Sequence, residues 1–246
     1  MSNVVIVPTY NERENIRPLV EQLLALPIEI QVIVVDDNSP DGTGAIADEL
    51  AASNSHVRVI HRSGKLGLGT AYVAGFKAAL SMGADRILTM DADFSHHPRY
   101  VPDLVDRSRD ADLVIGSRYV RGGGTRYCTL PRKALSWGAN AFVKMVLWLQ
   151  AMDCTAGFRC YRREVLESID LDTIFSNGYS FLIEMLYRVQ RRGWRVAEVP
   201  IIFENRRHGA SKISRQEILR AMYTVVRLGM ERLFSSDLPP AASQQR

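Results

Sequence analysis

Four short runs in the first part of the chain constrain its fold most: "VVIVPT", "IQVIVVDD", "VRVIHR" and "RILTMDAD". Each is β-branched and apolar almost to its last residues, where polar groups begin. A strand with one wet face alternates polar and apolar residues, so strands like these are buried on both faces. Helical spacing follows each run, over about Glu12 to Ala25, Gly42 to Ala52, Thr70 to Ser81 and Arg99 to Arg107. "DLVIGSRY" reads as a further strand. The alternation predicts an α/β fold with a mostly parallel central sheet flanked by helices. Ligands of such sheets bind beyond the carboxyl ends of the strands. The polar clusters lie at those ends: Pro8-Thr9-Tyr10-Asn11-Glu12, Asp36-Asp37, Asp91 to Asp93, and Ser117-Arg118.

The second half is less regular. Helices are expected over Arg132 to Met152, Phe181 to Arg192 and Ser214 to Phe234, with "WRVAEVPIIFENR" as one strand. Neither a repeat nor a dividing linker appears. Residues 1–213 are therefore read as one domain, 214–234 as an amphipathic helix and the polar, proline-bearing 235–246 as a disordered tail. A chain of 246 residues can bury a core of that size. The net charge of +4 suits acidic ligands or an anionic membrane face and does not call for nucleic acid. Cys128, Cys154 and Cys160 are odd in number and lack CxxC spacing, so they read as reduced thiols of a cytoplasmic protein. The first residues show no signal-peptide pattern, and no run of 18 uncharged apolar residues predicts a membrane span.

Three motifs bear on chemistry. "GKLGLGTAY" is glycine-rich but matches neither nucleotide fingerprint. The sixth position of G-x-G-x-x-G is Tyr72, and Lys65 is followed by Leu66 where a P-loop needs Ser or Thr. It reads as a tight turn whose backbone can approach a phosphate at a helix start. In "MDADFSHHP", Asp91 and Asp93 stand two residues apart. In extended chain both carboxylates would face one site and Ala92 the other. Hard oxygen ligands there suit Mg²⁺ or Mn²⁺, although a polar turn needs the same residues. His96 and His97 are read as cap or packing residues, because no other His or Cys stands at zinc spacing. In "VVDDNSPDGT" a strand-end carboxylate can meet a nucleobase or ribose, or simply open a turn.

Taken together, "VPTYNERENI", "VVDDNSPDGT", "GLGTAY", "MDADFSHHP", "GSRY" and "HGASK" resemble family 2 glycosyltransferases, specifically the dolichyl- or polyprenyl-phosphate mannose synthase branch. The likeness runs from about Val4 to Ile213. It implies a GT-A fold in which a nucleotide-binding sheet merges with an acceptor-binding half. It implies inverting transfer of mannose from GDP-mannose to a polyprenyl phosphate. By the same resemblance Pro8, Tyr10 and Glu12 line the donor nucleotide, and Val35 and Asp37 hold its base and ribose. Asp91, Ala92 and Asp93 touch the sugar nucleotide, with Asp91 and Asp93 on the metal. Ser95 stands where some relatives offer glutamine as a further metal ligand. Arg118, with Asp91 and Asp93, is assigned to catalysis and to the acceptor phosphate, which Arg132 also holds. Arg206 and Lys212 close over the pyrophosphate. The lipid acceptor implies a peripheral site at the cytoplasmic face of an anionic membrane, reached directly or through an integral membrane partner protein. A relative using another sugar nucleotide, such as UDP-glucose, is the nearer alternative. A haloacid-dehalogenase-type phosphatase is the remote one, since that family sets its D-x-D after the first strand.

Overall fold

A computed structural model describes residues 1–204 and 215–234, without the side chains of Pro131, Arg132, 215–218 and 232–234. The first part alternates as expected: β1 (Asn3–Thr9), α1 (Arg13–Leu24), β2 (Gln31–Asp36), α2 (Thr43–Ser53), β3 (Val57–His61), α3 (Leu68–Ser81), β4 (Arg86–Thr89), α4 (Val101–Arg107) and β5 (Leu113–Ser117). Then come β6 (Gly124–Arg126), α5 (Leu130–Leu147), β7 (Arg159–Arg162), α6 (Arg163–Glu167), α7 (Tyr179–Arg191), β8 (Val196–Pro200), β9 (Ile202–Glu204) and α8 (Arg215–Phe234). The main sheet has seven strands in the order β3-β2-β1-β4-β7-β5-β8.

The strands are double-sided, as their composition requires. Val4 and Ile6 of β1 face one core cluster with Tyr72 and Phe76 of α3 and Phe181 of α7. Val5 and Val7 face another with Ile16, Leu19 and Val20 of α1. Period-two alternation thus feeds two cores instead of one core and water. The parallel register pairs Thr9 with Asp36 and Ile6 with Thr89. The turns after β1, β2 and β4 therefore emerge at one edge of the sheet. Each of those turns holds a non-glycine residue in the left-handed region: Asn11, Asn38 and Phe94, with φ of 61°, 57° and 59°. Asparagine tolerates that conformation and phenylalanine does so rarely, so the turn after β4 stores strain.

The second half departs from expectation in three places. β7, with the sequence Arg-Cys-Tyr-Arg, lies antiparallel between β4 and β5, where the sequence offers no apolar run. Helix α5 stops at Leu147 instead of continuing to Met152, because Trp148 turns left-handed with φ 53°. The single expected strand over residues 194–206 breaks in two after Pro200, which has no N–H for a ladder. Its halves, β8 and β9, pair with β5 and with β6 respectively. Helix α8 packs on α5 and α7 and sends Val225 and Leu228 into the main core. The expected tail, 235–246, lies outside the described residues.

Candidate active site

The turns after β1, β2 and β4 wall a cavity of about 580 Å³. Pro8 comes from the end of β1 and Tyr10 and Glu12 from the turn after it, Asp37 from the second turn, and Asp91, Ala92 and Asp93 from the third. The opposite wall is the glycine-rich loop with Lys65 and Leu66, together with Asn177 and Tyr179 ahead of or at the start of α7, and Arg220 of α8. Seven residues expected at the site from the sequence therefore meet in one place.

The two adjacent aspartates after β2 separate cleanly. Asp36 is occupied by local bonds, accepting from the Thr9 hydroxyl at 2.9 Å and from the N–H and hydroxyl of Ser39 at 3.0 and 2.6 Å. Asp37 faces the cavity and pairs with Arg62, whose Nη1 lies 3.1 Å from Oδ1. Both side chains are nearly buried. Burial raises the Asp37 pKa above the usual carboxylate value, with neighbouring Asp36 adding to the rise and Arg62 opposing it. Arg62 also donates to Thr70 Oγ1 at 2.6 Å and to the Gly67 carbonyl at 3.4 Å, so it joins Asp37 to the glycine-rich loop. Lys65 Nζ sits 4.4 Å from the centre of the Tyr10 ring, across the mouth of the same region. Asn177 clasps the loop, donating to the Leu66 carbonyl at 3.1 Å and accepting from Gly69 N–H at 3.2 Å.

The D-x-D segment is a turn and not the end of a strand. β4 ends at Thr89, and residues 92 and 93 turn. Strand alternation thus does not apply, and Ala92 shares the cavity with both aspartates instead of facing away from them. Asp93 is buried and accepts from Ser95 N–H at 3.0 Å. Asp91 accepts from the Tyr72 hydroxyl at 3.2 Å. Burial, and secondly the Asp91 charge, push the Tyr72 pKa well above its ordinary value, so the phenol stays protonated and donates. His96 is buried, stacked on Phe158 at 5.3 Å and edge-on to Phe203 at 5.6 Å, with Nδ1 3.8 Å from Asp91 Oδ2. Burial pushes its pKa down despite Asp91, so the ring sits neutral behind the carboxylates. His97 caps the turn at Pro98, accepting from Arg99 N–H. Packing and capping are the roles read for this pair from the sequence.

The remaining expected residues lie elsewhere. The Val35 side chain is sealed in the core, leaving only its backbone near the ligand edge. Ser95 is buried beneath Asp93 and does not line the cavity. Arg118 stands beyond β5 with its guanidinium committed to Asp153, at 2.7 Å from Nε to Oδ2 and 2.7 Å from Nη2 to Oδ1. The backbone of Arg132 falls in α5 but its side chain is outside the described residues, as are Arg206 and Lys212 entirely. No group of three or more His, Cys, Asp or Glu able to hold a metal occurs among the described residues. Asp91 and Asp93 are a two-carboxylate set, which fits a hard cation that draws its other ligands from phosphate oxygens and water. Lys65, Arg62, Asn177, Tyr179 and Arg220 are site residues the sequence reading missed.

A sheet that carries carboxylates at the ends of its parallel strands and merges with a second, mixed half defines the GT-A class of nucleotide-sugar transferases. Solved structures share this fold. Glucosyl-3-phosphoglycerate synthase from Mycobacterium tuberculosis, in complex with Mn²⁺, UDP and glucosyl-3-phosphoglycerate, superposes with a TM-score of 0.65 at 21% identity over 93% of this chain and 80% of that one. Mannosyl-3-phosphoglycerate synthase from Rubrobacter xylanophilus gives 0.66 at 21% identity over 95% and 74%. The description "Glycosyl transferase family 2" matches residues 4–170, and the chain belongs to that family. Among its relatives, polyprenol monophosphomannose synthase of Mycolicibacterium smegmatis is 47% identical over 229 residues, 92% of this chain and 86% of the relative. Undecaprenyl-phosphate mannosyltransferase of Micrococcus luteus is 45% identical over 230 residues, 94% and 95%. The enzyme is thus a glycosyltransferase, and the phosphatase reading of its D-x-D is set aside.

Proposed function

We propose that this enzyme transfers mannose from GDP-mannose to a polyprenyl phosphate, inverting the anomeric centre. The observation that carries the reading is one cavity lined by Asp37 from the turn after β2 and by Asp91 and Asp93 from the turn after β4. Such a cavity accommodates a base at one end and a diphosphate-sugar at the other. Similarity to two mannosyl transferases of polyprenyl phosphates supplies the sugar and the acceptor.

A phosphate oxygen of the lipid attacks the anomeric carbon; the new O–C bond forms as the bond to the β-phosphate of GDP breaks. A phosphate monoester is largely ionised at neutral pH, its second pKa lying at about 6, so no side chain need take a proton from the attacking oxygen. The protein's task is to hold two repelling phosphates together and to favour the charge that gathers on the departing diphosphate. Asp91 and Asp93 would hold Mg²⁺ or Mn²⁺, which when bound neutralises that charge. Tyr72 orients Asp91, and the Ser95 amide orients Asp93. Lys65 and Arg220 bring positive charge to the cavity, while Tyr10 offers a face to the nucleotide. Asp37, braced by Arg62, would accept from the guanine edge or ribose. A site built to pair such donors discriminates strongly against a ligand lacking them.

The acceptor is a lipid, yet no helix among the described residues is long and apolar enough to cross a membrane. We assign the membrane contact to α5 and α8. Trp137, Met145 and Trp148 along α5 and at its end are 67, 69 and 74% exposed, and Leu219 and Tyr223 of α8 are 65 and 63% exposed. Lys133 stands exposed among them. Basic helices with exposed aromatic and aliphatic groups bind in the headgroup region of anionic bilayers. The reaction itself is tested by competing GDP-mannose, UDP-glucose and UDP-N-acetylglucosamine for one polyprenyl phosphate with Mg²⁺ or Mn²⁺ present. Preferential transfer of mannose is expected. Preferential transfer from either UDP-sugar overturns the donor assignment and leaves the family intact.

A further inference from the structure

Arg118 follows the last residue of β5, and its side chain is already engaged. Asp153 accepts from the Arg118 backbone N–H at 3.0 Å, from Nε at 2.7 Å and from Nη2 at 2.7 Å. Nη2 also donates to Thr155 Oγ1 at 2.9 Å. Thr155 Oγ1 in turn accepts from Asn140 of α5 at 3.3 Å, and the Asp153 N–H donates to Glu198 of β8 at 3.0 Å. The carboxylate is fully buried, and a buried carboxylate persists only when paired. The guanidinium lies 5.5 Å from the centre of the Phe203 ring, the same ring that meets His96 behind Asp91.

We propose that Asp153 is a positioning residue for the acceptor phosphate. By occupying Nε and Nη2 it fixes the Arg118 side chain and leaves Nη1, which has no hydrogen-bond partner among the described residues, to meet the anion. The two-nitrogen fork along Nε and Nη2 is spent inside the protein, so Arg118 contacts phosphate end-on. Its rotamer is set before the lipid arrives, which removes an ordering cost from binding. The ion pair also offsets the Arg118 charge, so the residue acts by direction more than by field. This inference rests on the reading of Arg118 as an acceptor-phosphate residue.

The test is a cycle of Asp153→Asn, Arg118→Ala and the double variant, with KM for GDP-mannose and for the polyprenyl phosphate measured separately and folding followed by thermal unfolding. Asp153→Asn keeps the shape but weakens a charge-assisted pair. It is expected to raise the acceptor KM about tenfold or more while moving the donor KM by less than about twofold. In the Arg118→Ala background Asp153→Asn should add less than about twofold, because a residue acting through Arg118 has nothing left to position. Fully multiplicative effects, or an unchanged acceptor KM in Asp153→Asn beside a raised one in Arg118→Ala, overturn the proposal. An unchanged acceptor KM in Arg118→Ala is a different result, which removes the Arg118 reading and the proposal with it. Should Asp153→Asn fail to fold, Thr155→Val loosens the same guanidinium from its other side. A folded Thr155→Val enzyme with unchanged acceptor KM overturns the proposal equally.

Discussion

At the scale of single residues, carboxylates in the turns after β2 and β4 line the cavity. Asp93 is buried and fixed by the Ser95 amide, so its lone pairs are aimed and not averaged. Asp93→Ala is expected to lower metal-dependent turnover at least about a hundredfold with an unchanged unfolding temperature. Near-normal turnover by the folded variant would remove the metal assignment. Asp37, Asp91 and Asp93 were legible because several acidic groups follow apolar strands in motifs that resemble one family; position alone did not separate them from turn-forming aspartates such as Asp36. Arg62 and Asn177 were not legible. Their roles come from contacts with the glycine-rich loop, which for Asn177 spans more than a hundred residues. The Arg118 guanidinium was legible as a charge but not as a committed one. Its partner Asp153 lies in an irregular stretch, and no local spacing links the two.

At the scale of elements, the helices and strands of the first part follow from periodicity because each buries a continuous apolar face. Close packing adds a constraint that pattern alone does not show. Gly75 of α3 crosses β1 so closely that an added Cβ would lie 2.4 Å from Ile6 Cγ2. Ile6 is fully buried against it. Gly75→Ala is therefore expected to destabilise the fold by about 1–3 kcal/mol, the range for overpacking, despite alanine's better helix propensity. Equilibrium denaturation measures it, and a stabilised variant would show that α3 can shift. Helix α5 poses the opposite case, a helix with too much exposed apolar surface. Trp137→Ser with Trp148→Ser should reduce co-sedimentation with anionic vesicles at low salt and leave transfer to a detergent-dispersed acceptor within about twofold. Unchanged sedimentation would assign the membrane contact to other parts of the molecule.

At the scale of the whole molecule, the two halves of the sheet are joined by β7, the strand that the sequence hides. Parallel β1 to β4 build the edge that carries the cavity, and β5 with β8 builds the other side; β7 runs antiparallel between them. Four residues with an arginine at each end give no strand signal, because the ends are held by bonds to carbonyls outside the strand and not by an apolar face. Arg159 is the clearest instance. It is fully buried, and its guanidinium donates to the carbonyls of Ala156 at 2.8 Å, Leu182 at 2.7 Å and Cys154 at 2.9 Å, and to the Tyr161 hydroxyl at 3.3 Å. It thus ties β7 to α7, which carries Tyr179 at the cavity, and to the loop that holds Asp153. Arg159→Met keeps much of the volume and strands the buried carbonyls of Ala156 and Cys154, while that of Leu182 keeps its bond within α7. Each stranded polar group costs about 1–3 kcal/mol, so a loss of at least about 2 kcal/mol is expected. Chemical denaturation should show that loss as a shifted midpoint with the slope retained, since a single transition is expected where one residue serves both halves. A second, earlier transition confined to the acceptor side would mean that the halves unfold separately and that β7 is a spacer between them instead of their tie.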